Sequence, residues 1–168
     1  MKTLIVYTTL TGTTRQLCDT LQQSLFGEMV EIPQAHPYNR ITAYLRGLPQ
    51  AIRGGGCGIR PLEEDVSSFD RIVVASPVWA DHVCPPATAF LRSHDLRGKE
   101  VHVLLTYGTE SIRQAPLQMK TLIEAAEARC ASVACIRTGA ALMQRLQSGA
   151  AALRLDSERG ICLEEQRV

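Results

Sequence analysis

The sequence predicts an α/β fold, namely a doubly wound parallel sheet of five strands within a three-layer α/β/α arrangement. Apolar runs without polar alternation recur along the chain, which is typical of strands buried on both faces of a parallel sheet. These runs alternate with segments whose apolar residues have helical spacing, and such alternation indicates helices on both sides of the sheet. The 168 residues suit one domain, so we expect residues 1–168 to form a single unit.

Most predicted strands are short, mainly apolar runs, whereas the strand over residues 28–32 is predicted from alternating polar and apolar residues. The first strand covers residues 2–7 and precedes a helix over 15–25, where Leu17, Leu21 and Leu25 share one face. The other predicted strands cover residues 28–32, 71–76, 101–107 and 132–137. The other predicted helices cover residues 40–53, 85–91, 117–126 and 142–153.

Two regions have weaker patterns than the rest of the chain. Residues 34–68 form an insertion in the strand–helix alternation, and the helix predicted over 40–53 lies inside it despite the poor helix formers Gly47 and Pro49. That helix is predicted from four apolar residues at helical spacing, Ile41, Leu45, Leu48 and Ile52. The tail after about residue 156 has no strong pattern.

Composition and charge exclude several classes of function. The formal net charge is +1, so no strong field favours nucleic acid or an anionic membrane as a partner. No apolar stretch is long enough to cross a bilayer. Met1-Lys2 leads directly into the first strand, which leaves no room for a signal peptide, and we therefore expect a cytoplasmic protein.

The six cysteines do not indicate a metal or disulfide site. They form no Cys-x-x-Cys pair and no cysteine–histidine cluster with zinc spacing. In a cytoplasmic chain they should be reduced, and we interpret most of them as packing residues. Their positions are Cys18, Cys57, Cys84, Cys130, Cys135 and Cys162.

A hydroxyl-rich turn, residues 8–14, follows the first predicted strand and opens the first predicted helix. The start of a helix offers free backbone N–H groups and the positive end of the helix dipole, which suit a phosphate. Gly12 permits close backbone approach, and the threonines add hydroxyl donors. The turn is neither a nucleotide P-loop nor a Gly-x-Gly-x-x-Gly fingerprint. The alternative interpretation is that the threonines only cap the helix.

Three loops should meet at the carboxyl ends of the strands, where sheets of this kind bind their ligands. They are residues 8–14, residues 76–86 with the single tryptophan Trp79, and residues 107–113 with Tyr107. A phosphate site beside two loops with aromatic residues suits a phosphorylated, flat, aromatic ligand such as flavin mononucleotide (FMN).

The residues around this site also have structural interpretations. Trp79 could be a core residue, and Tyr107 could pack with its hydroxyl in water. Asp81 and His82 could tune a bound ligand, could serve as proton donors, or could be solvated loop residues. Cys84, which precedes two prolines, is interpreted as a packing residue.

Two motifs in this order resemble the flavodoxin family. Thr9-x-Thr11-Gly12-x-Thr14 is similar to the family's phosphate loop. The segment Ser76-Pro77-Val78-Trp79, followed by Pro85-Pro86 and a helix, is similar to the segment that covers one side of the flavin ring. Strand spacing extends the resemblance over residues 1–138.

The resemblance implies a sheet of strand order 2-1-3-4-5 and one non-covalently bound FMN. The residues implied to hold the phosphate are Thr9, Leu10, Thr11, Gly12, Thr13 and Thr14. The residues implied to line one side of the ring are Pro77, Val78, Trp79 and Ala80. The residues implied on its other side or edge are Tyr107, Gly108 and Thr109.

The chain departs from flavodoxins at three points. Flavodoxins are strongly acidic, whereas this chain is nearly neutral. The family often has a glycine after the tryptophan, and this chain has Ala80, a residue that resists positive φ. The insertion at 34–68 carries four arginines and could cover the site or form a partner surface.

Three functions stay open on the sequence. The first is electron transfer between redox partner proteins. The second is an NAD(P)H-dependent quinone or small-molecule reductase of the same fold, a class that often forms homodimers. The third is a binding or regulatory module that has lost FMN.

Overall fold

Five parallel strands form the central sheet of the protein, and helices cover both of its faces. The computed structural model describes residues 1–108, 112–149, 151–156 and 158–165. In the order of the sheet, the strands are β2 (Glu28–Glu31), β1 (Thr3–Tyr7), β3 (Arg71–Trp79), β5 (Glu100–Tyr107) and β6 (Arg129–Arg137). The order 2-1-3-4-5 of the parallel strands is therefore confirmed.

The remaining elements comprise six helices and three further strands among the described residues. The helices are α1 (Thr13–Leu25), α2 (Arg40–Thr42), α3 (Leu48–Ile52), α4 (Pro85–Ser93), α5 (Gln114–Ala125) and α6 (Ala140–Gln147). A π-helical turn, Ala43–Gly47, joins α2 to α3, and a 3₁₀ turn covers Val66–Ser68. The further strands are β4 (His82–Val83), β7 (Ala151–Asp156) and β8 (Gly160–Glu165).

Alternate residues of the central strands point into two separate cores. On one face, Val74 and Val103 pack with side chains of α4 and α5, such as Phe90 and Met119. On the other face, the side chains of β1 and β3 pack with α1, α6 and the β7–β8 hairpin. This second core includes Ile5, Val73, Leu17, Leu21, Leu146, Leu153 and Ile161. The strands are buried on both sides, which explains their lack of polar alternation.

The C-terminal region corrects the sequence prediction. The helix predicted over 142–153 ends at Gln147, because Gly149 has φ +75° and leaves the helical conformation. Residues after it form the antiparallel β7–β8 hairpin, which buries Leu153 and Ile161. Ile161, in the tail without a recognised pattern, is therefore part of the second core.

The third strand is also longer than predicted. It continues past Ser76 to Trp79 and then turns back, so that Val78 pairs with Val83 in β4. The helix predicted over 40–53 is confirmed as a continuous helical segment over residues 40–52, with the π-helical turn at its centre. Within the described residues, no helix has the length and apolar character needed to cross a membrane.

Candidate functional site

Three loops follow neighbouring strands at one edge of the sheet. β1 lies between β2 and β3, and β3 lies between β1 and β5, so the chain winds in opposite directions from β1 and β3. Tyr7 of β1 pairs with Ala75, and Pro77 of β3 pairs with Thr106. The crevice outside the carboxyl ends of β1 and β3 is the position where open α/β sheets bind ligands.

The hydroxyl-rich turn of residues 8–14, or threonine turn, contains Gly12 directly before the first residue of α1. Gly12 is the N-cap residue with φ +86°, and among the described residues no side chain caps this helix end. The Gly12 N–H donates to Thr9 Oγ1 at 3.0 Å, and the hydroxyls of Thr11 and Thr13 lie 3.1 Å apart. The first N–H groups of a helix have no intrahelical acceptor, so this end can bind an anion.

The threonines of the turn do not all face solvent. Thr11 is exposed, Thr9 and Leu10 are half-buried, and Thr14 is buried. The Thr14 hydroxyl shares a 2.9 Å hydrogen bond with the hydroxyl of Thr106 in β5. Thr14 therefore anchors the start of α1 to the sheet through its side chain, and its backbone N–H is the group it can offer to an anion.

Trp79 ends β3 with its side chain half-buried. The Tyr38 ring meets it edge-on, with ring centroids 5.3 Å apart and an interplanar angle of 89°. Gly47 of the π-helical turn is so close that a Cβ atom at this position would overlap Trp79 Cζ3. The insertion thus packs directly against the tryptophan of the candidate site. The sequence does not predict that Tyr38 and Gly47 contact Trp79, because no local pattern connects these residues.

The turn between Trp79 and β4 has an unusual backbone. Ala80 and Asp81 have φ +48° and φ +61°, the arrangement of a two-residue hairpin turn with both central residues left-handed. The expectation that alanine avoids positive φ here is wrong, because the hairpin geometry imposes it. His82 Nδ1 lies 2.6 Å from the Ala80 carbonyl oxygen and, as a donor, closes the turn.

Asp81 has a structural partner at the start of α5. Its Oδ1 accepts hydrogen bonds from the backbone N–H groups of Arg113 at 2.8 Å and Gln114 at 3.1 Å. Burial raises the pKa of Asp81, but these N–H donors lower the pKa more, so the carboxyl stays ionised. Asp81 therefore links the β3–β4 hairpin, which we call the Trp79 hairpin, to the start of α5 by hydrogen bonds.

The third loop begins with Tyr107, whose side chain is half-buried at the end of β5. Its carbonyl oxygen accepts from both the backbone N–H and the hydroxyl of Thr138, at 2.7 and 3.1 Å. Gly108 is exposed, with open space where a Cβ would be. Thr109, the last of the predicted ring residues, lies outside the described residues.

Cys84 directly precedes α4 and is fully buried. Its Sγ is 3.0 Å from Ser76 Oγ. Burial raises the pKa of the Cys84 thiol to about 11, so the reactive thiolate form is scarce at neutral pH. These properties agree with a packing role.

No protein-family model matches the sequence, and no curated protein matches it. A flavoprotein from Lactobacillus acidophilus NCFM, solved in complex with FMN, aligns with a TM-score of 0.68 at 21% identity, covering 80% of this chain and 92% of that one. A protein from Bacteroides uniformis, provisionally named a flavoprotein, gives 0.67 at 21% identity over 88% and 96% of the chains. Oxidised flavodoxin 2 from Bacillus cereus gives 0.55 at 18% identity over 89% and 94%. The fold is therefore flavodoxin-like.

Proposed function

We propose that this protein binds one FMN without a covalent bond and carries electrons between redox partner proteins. The single observation that carries the proposal is the glycine-led start of α1, which has free N–H groups and clustered hydroxyls at the crevice between β1 and β3. The same fold in Lactobacillus acidophilus was solved in complex with FMN, which supports this choice of ligand.

The threonine turn fits the phosphate group of FMN. Its donors are the hydroxyls of Thr9, Thr11 and Thr13 and the first N–H groups of α1, and Gly12 adds no side chain that would block their approach. The sequence places no acidic residue in the first turn of α1, so a phosphate dianion meets no like charge there. Leu10 and the backbone of Thr14 would complete the loop around the phosphate.

The aromatic residues of the other two loops fit a flat ring. Trp79 and Tyr107 end two adjacent strands with half-buried side chains, and Pro77, Val78 and Ala80 are the neighbours of the tryptophan along the chain. A bound flavin would supply reversible uptake of electrons, while these residues position its ring and exclude water. An apolar surrounding disfavours added negative charge, so these side chains would lower the reduction potential.

A substitution pair tests the phosphate site. Thr11→Val/Thr13→Val should weaken FMN much more than riboflavin, because only FMN has the phosphate; we expect the FMN dissociation constant to rise about tenfold or more. Flavin fluorescence titration measures both ligands. The control is Thr121→Val, which removes an exposed hydroxyl on α5. Equal losses for the two ligands would contradict the phosphate assignment.

A reductase is the second candidate, favoured by the near-neutral charge of the chain. Such an enzyme would take electrons directly from NAD(P)H and pass them to a quinone or another small molecule. Stepwise anaerobic reduction of the FMN-loaded protein separates the two functions. Rapid bleaching by NAD(P)H alone would favour the reductase, whereas reduction by a redox protein but not by NAD(P)H would favour the carrier. Failure to take up FMN would contradict both and favour a binding module.

A further inference from the structure

The helical segment over residues 40–52 turns four of its large apolar side chains outward. An amphipathic helix on a protein surface ordinarily buries its apolar stripe and exposes small or polar residues. Here the buried positions are small residues one turn apart, namely Ala43, Gly47 and Ala51. The exposed positions include Ile41, Tyr44, Leu45 and Ile52, with exposed fractions of 70%, 73%, 69% and 53%.

Packing against Trp79 explains why the small residues face inward. A Cβ at position 47 would overlap Trp79 Cζ3 and would also lie 3.2 Å from Tyr38 Cε1. The space beneath the helical segment therefore accepts only small side chains, and the fold makes no use of the four large ones. Four large apolar side chains exposed within one short segment are typical of an interaction surface.

The part of the chain around the helical segment, residues 32–62, is positively charged, whereas the rest of the chain is net negative. Residues 32–62 contain four arginines and no aspartate or glutamate, so the remaining residues carry a net charge of −3. Arg40, Arg46, Arg53 and Arg60 are exposed, and none of them forms an ion pair with a side chain in the described part of the chain. Unpaired arginines around an apolar centre indicate a partner that brings carboxylates.

We propose that this surface docks an acidic electron-transfer protein beside the candidate site. The docking face comprises Arg40, Ile41, Tyr44, Leu45, Arg46, Ile52 and Arg53. The inference rests on the proposed function, because the Gly47–Trp79 contact brings a protein docked there close to the proposed ring site. Its apolar residues form the dry centre of the interface, and its arginines pair with acidic residues at the rim.

Two other occupants fit the charges less well. A second copy of the chain that paired through the same face would bring two sets of unpaired arginines together. An anionic membrane would attract the arginines but repel the remaining, net acidic part of the protein. An acidic protein satisfies the arginines and the apolar centre together.

The proposal is tested by measuring how two one-electron carrier proteins of opposite charge bind to this protein. The probes are a plant-type [2Fe–2S] ferredoxin, which is acidic, and mitochondrial cytochrome c, which is basic. We expect the ferredoxin to bind the FMN-loaded protein, more weakly as salt rises, and cytochrome c not to bind at this face. Arg40→Glu/Arg46→Glu should weaken ferredoxin binding about tenfold or more. The control Arg92→Glu/Arg159→Glu makes the same change in net charge at exposed positions elsewhere and should weaken it much less.

A second variant tests the apolar centre. Ile41→Ser/Leu45→Ser should weaken ferredoxin binding by a similar factor while leaving its salt dependence unchanged, because no charge is altered. Both side chains are exposed, so the free energy of unfolding should change little. These substitutions separate an interface from general electrostatic attraction.

Several results would overturn the docking proposal. They are an absence of ferredoxin binding, equal losses in the test and control charge variants, a dimer that Arg40→Glu/Arg46→Glu dissociates, and binding to phosphatidylglycerol vesicles that the same variant abolishes. Each variant is also titrated with FMN. Normal FMN binding without ferredoxin binding would leave the proposed cofactor in place, whereas failure of the wild-type protein to bind FMN would contradict the proposed function itself.

Discussion

The hydroxyl oxygens of Thr14 and Thr106 lie 2.9 Å apart in a buried hydrogen bond that ties the first turn of α1 to β5. Both residues are almost fully buried, with exposed fractions of 2% and 4%. The bond therefore fixes the helix end that we propose for the phosphate against the strand that leads to Tyr107.

Thr14→Val should lower the free energy of unfolding by about 1–3 kcal/mol, because it leaves the Thr106 hydroxyl buried without this partner. Thr14→Val/Thr106→Val removes both hydroxyls and should be less destabilised than the sum of the two single variants. Urea denaturation of the four proteins measures the coupling. Additive losses would show that the two hydroxyls do not depend on each other.

Gly47→Ala should disturb the contact between the helical segment and Trp79. A methyl group cannot fit beside Trp79 Cζ3, so either the tryptophan or the segment must move, at a cost of about 1–3 kcal/mol. Trp79 is the single tryptophan, so its fluorescence spectrum reports the movement directly. Gly139→Ala, where open space surrounds the glycine, is the control and should leave the spectrum unchanged.

The Trp79 hairpin turn allows opposite predictions for its two central residues. Ala80→Gly should stabilise the protein by about 1 kcal/mol, because glycine adopts a positive φ without the steric strain of a Cβ. Asp81→Gly relieves similar strain but removes the carboxylate that accepts the N–H groups of Arg113 and Gln114 at the start of α5, so it should destabilise the protein. Thermal and urea unfolding measure both. A loss of stability in Ala80→Gly would contradict the strain argument.

A buried histidine lies in a charged network at the opposite end of the sheet. His102 Nε2 is 2.7 Å from Glu100 Oε1, and His102 Nδ1 is 2.7 Å from Ser132 Oγ. A neutral imidazole satisfies both contacts by donating to Glu100 and accepting from Ser132. Arg71 donates to the same carboxylate at 2.9 Å, and Arg129 also bonds to it.

Stability should fall on acidification because of this network. Burial lowers the pKa of His102 below its ordinary 6.5, so its contribution is complete above that pH and is lost as the pH falls through the lowered value. His102 also lowers the pKa of Glu100 through their hydrogen bond, which adds a second loss at lower pH. Urea denaturation between about pH 7 and pH 5 should show a smaller decline for His102→Gln than for the wild type. His36→Gln, an exposed control, should decline as the wild type does.

The parallel sheet was predictable because each strand carries its own signal. Strands buried on both faces need continuous apolar runs, and the run around Val73 or Val103 stands out without any tertiary information. The threonine turn was recognisable for the same reason, since strand, glycine and helix follow each other directly in the chain.

The features that sequence reasoning missed depend on contacts between distant segments. Nothing near Gly47 shows that Trp79 will lie against it, and nothing near Ala80 shows that pairing with β4 will impose a positive φ. At the C-terminus, Leu142 and Leu146 have helical spacing because they lie in α6, whereas Leu153 continues that spacing only by coincidence, since it lies in β7. The alternate burial of Ala151 and Leu153 becomes visible only when β8 pairs with that segment.

The inward and outward sides of the helical segment over residues 40–52 are subject to different structural constraints. The inward side must fit beneath Trp79, so a saturation-mutagenesis library selected for folding should be depleted of nearly every replacement at Gly47. The outward side, with Ile41 and Leu45, should tolerate polar replacements under that same selection. On one side of this short helix, the substitutions that the protein tolerates would therefore be limited by folding. On the other side, they would be limited by binding to a partner.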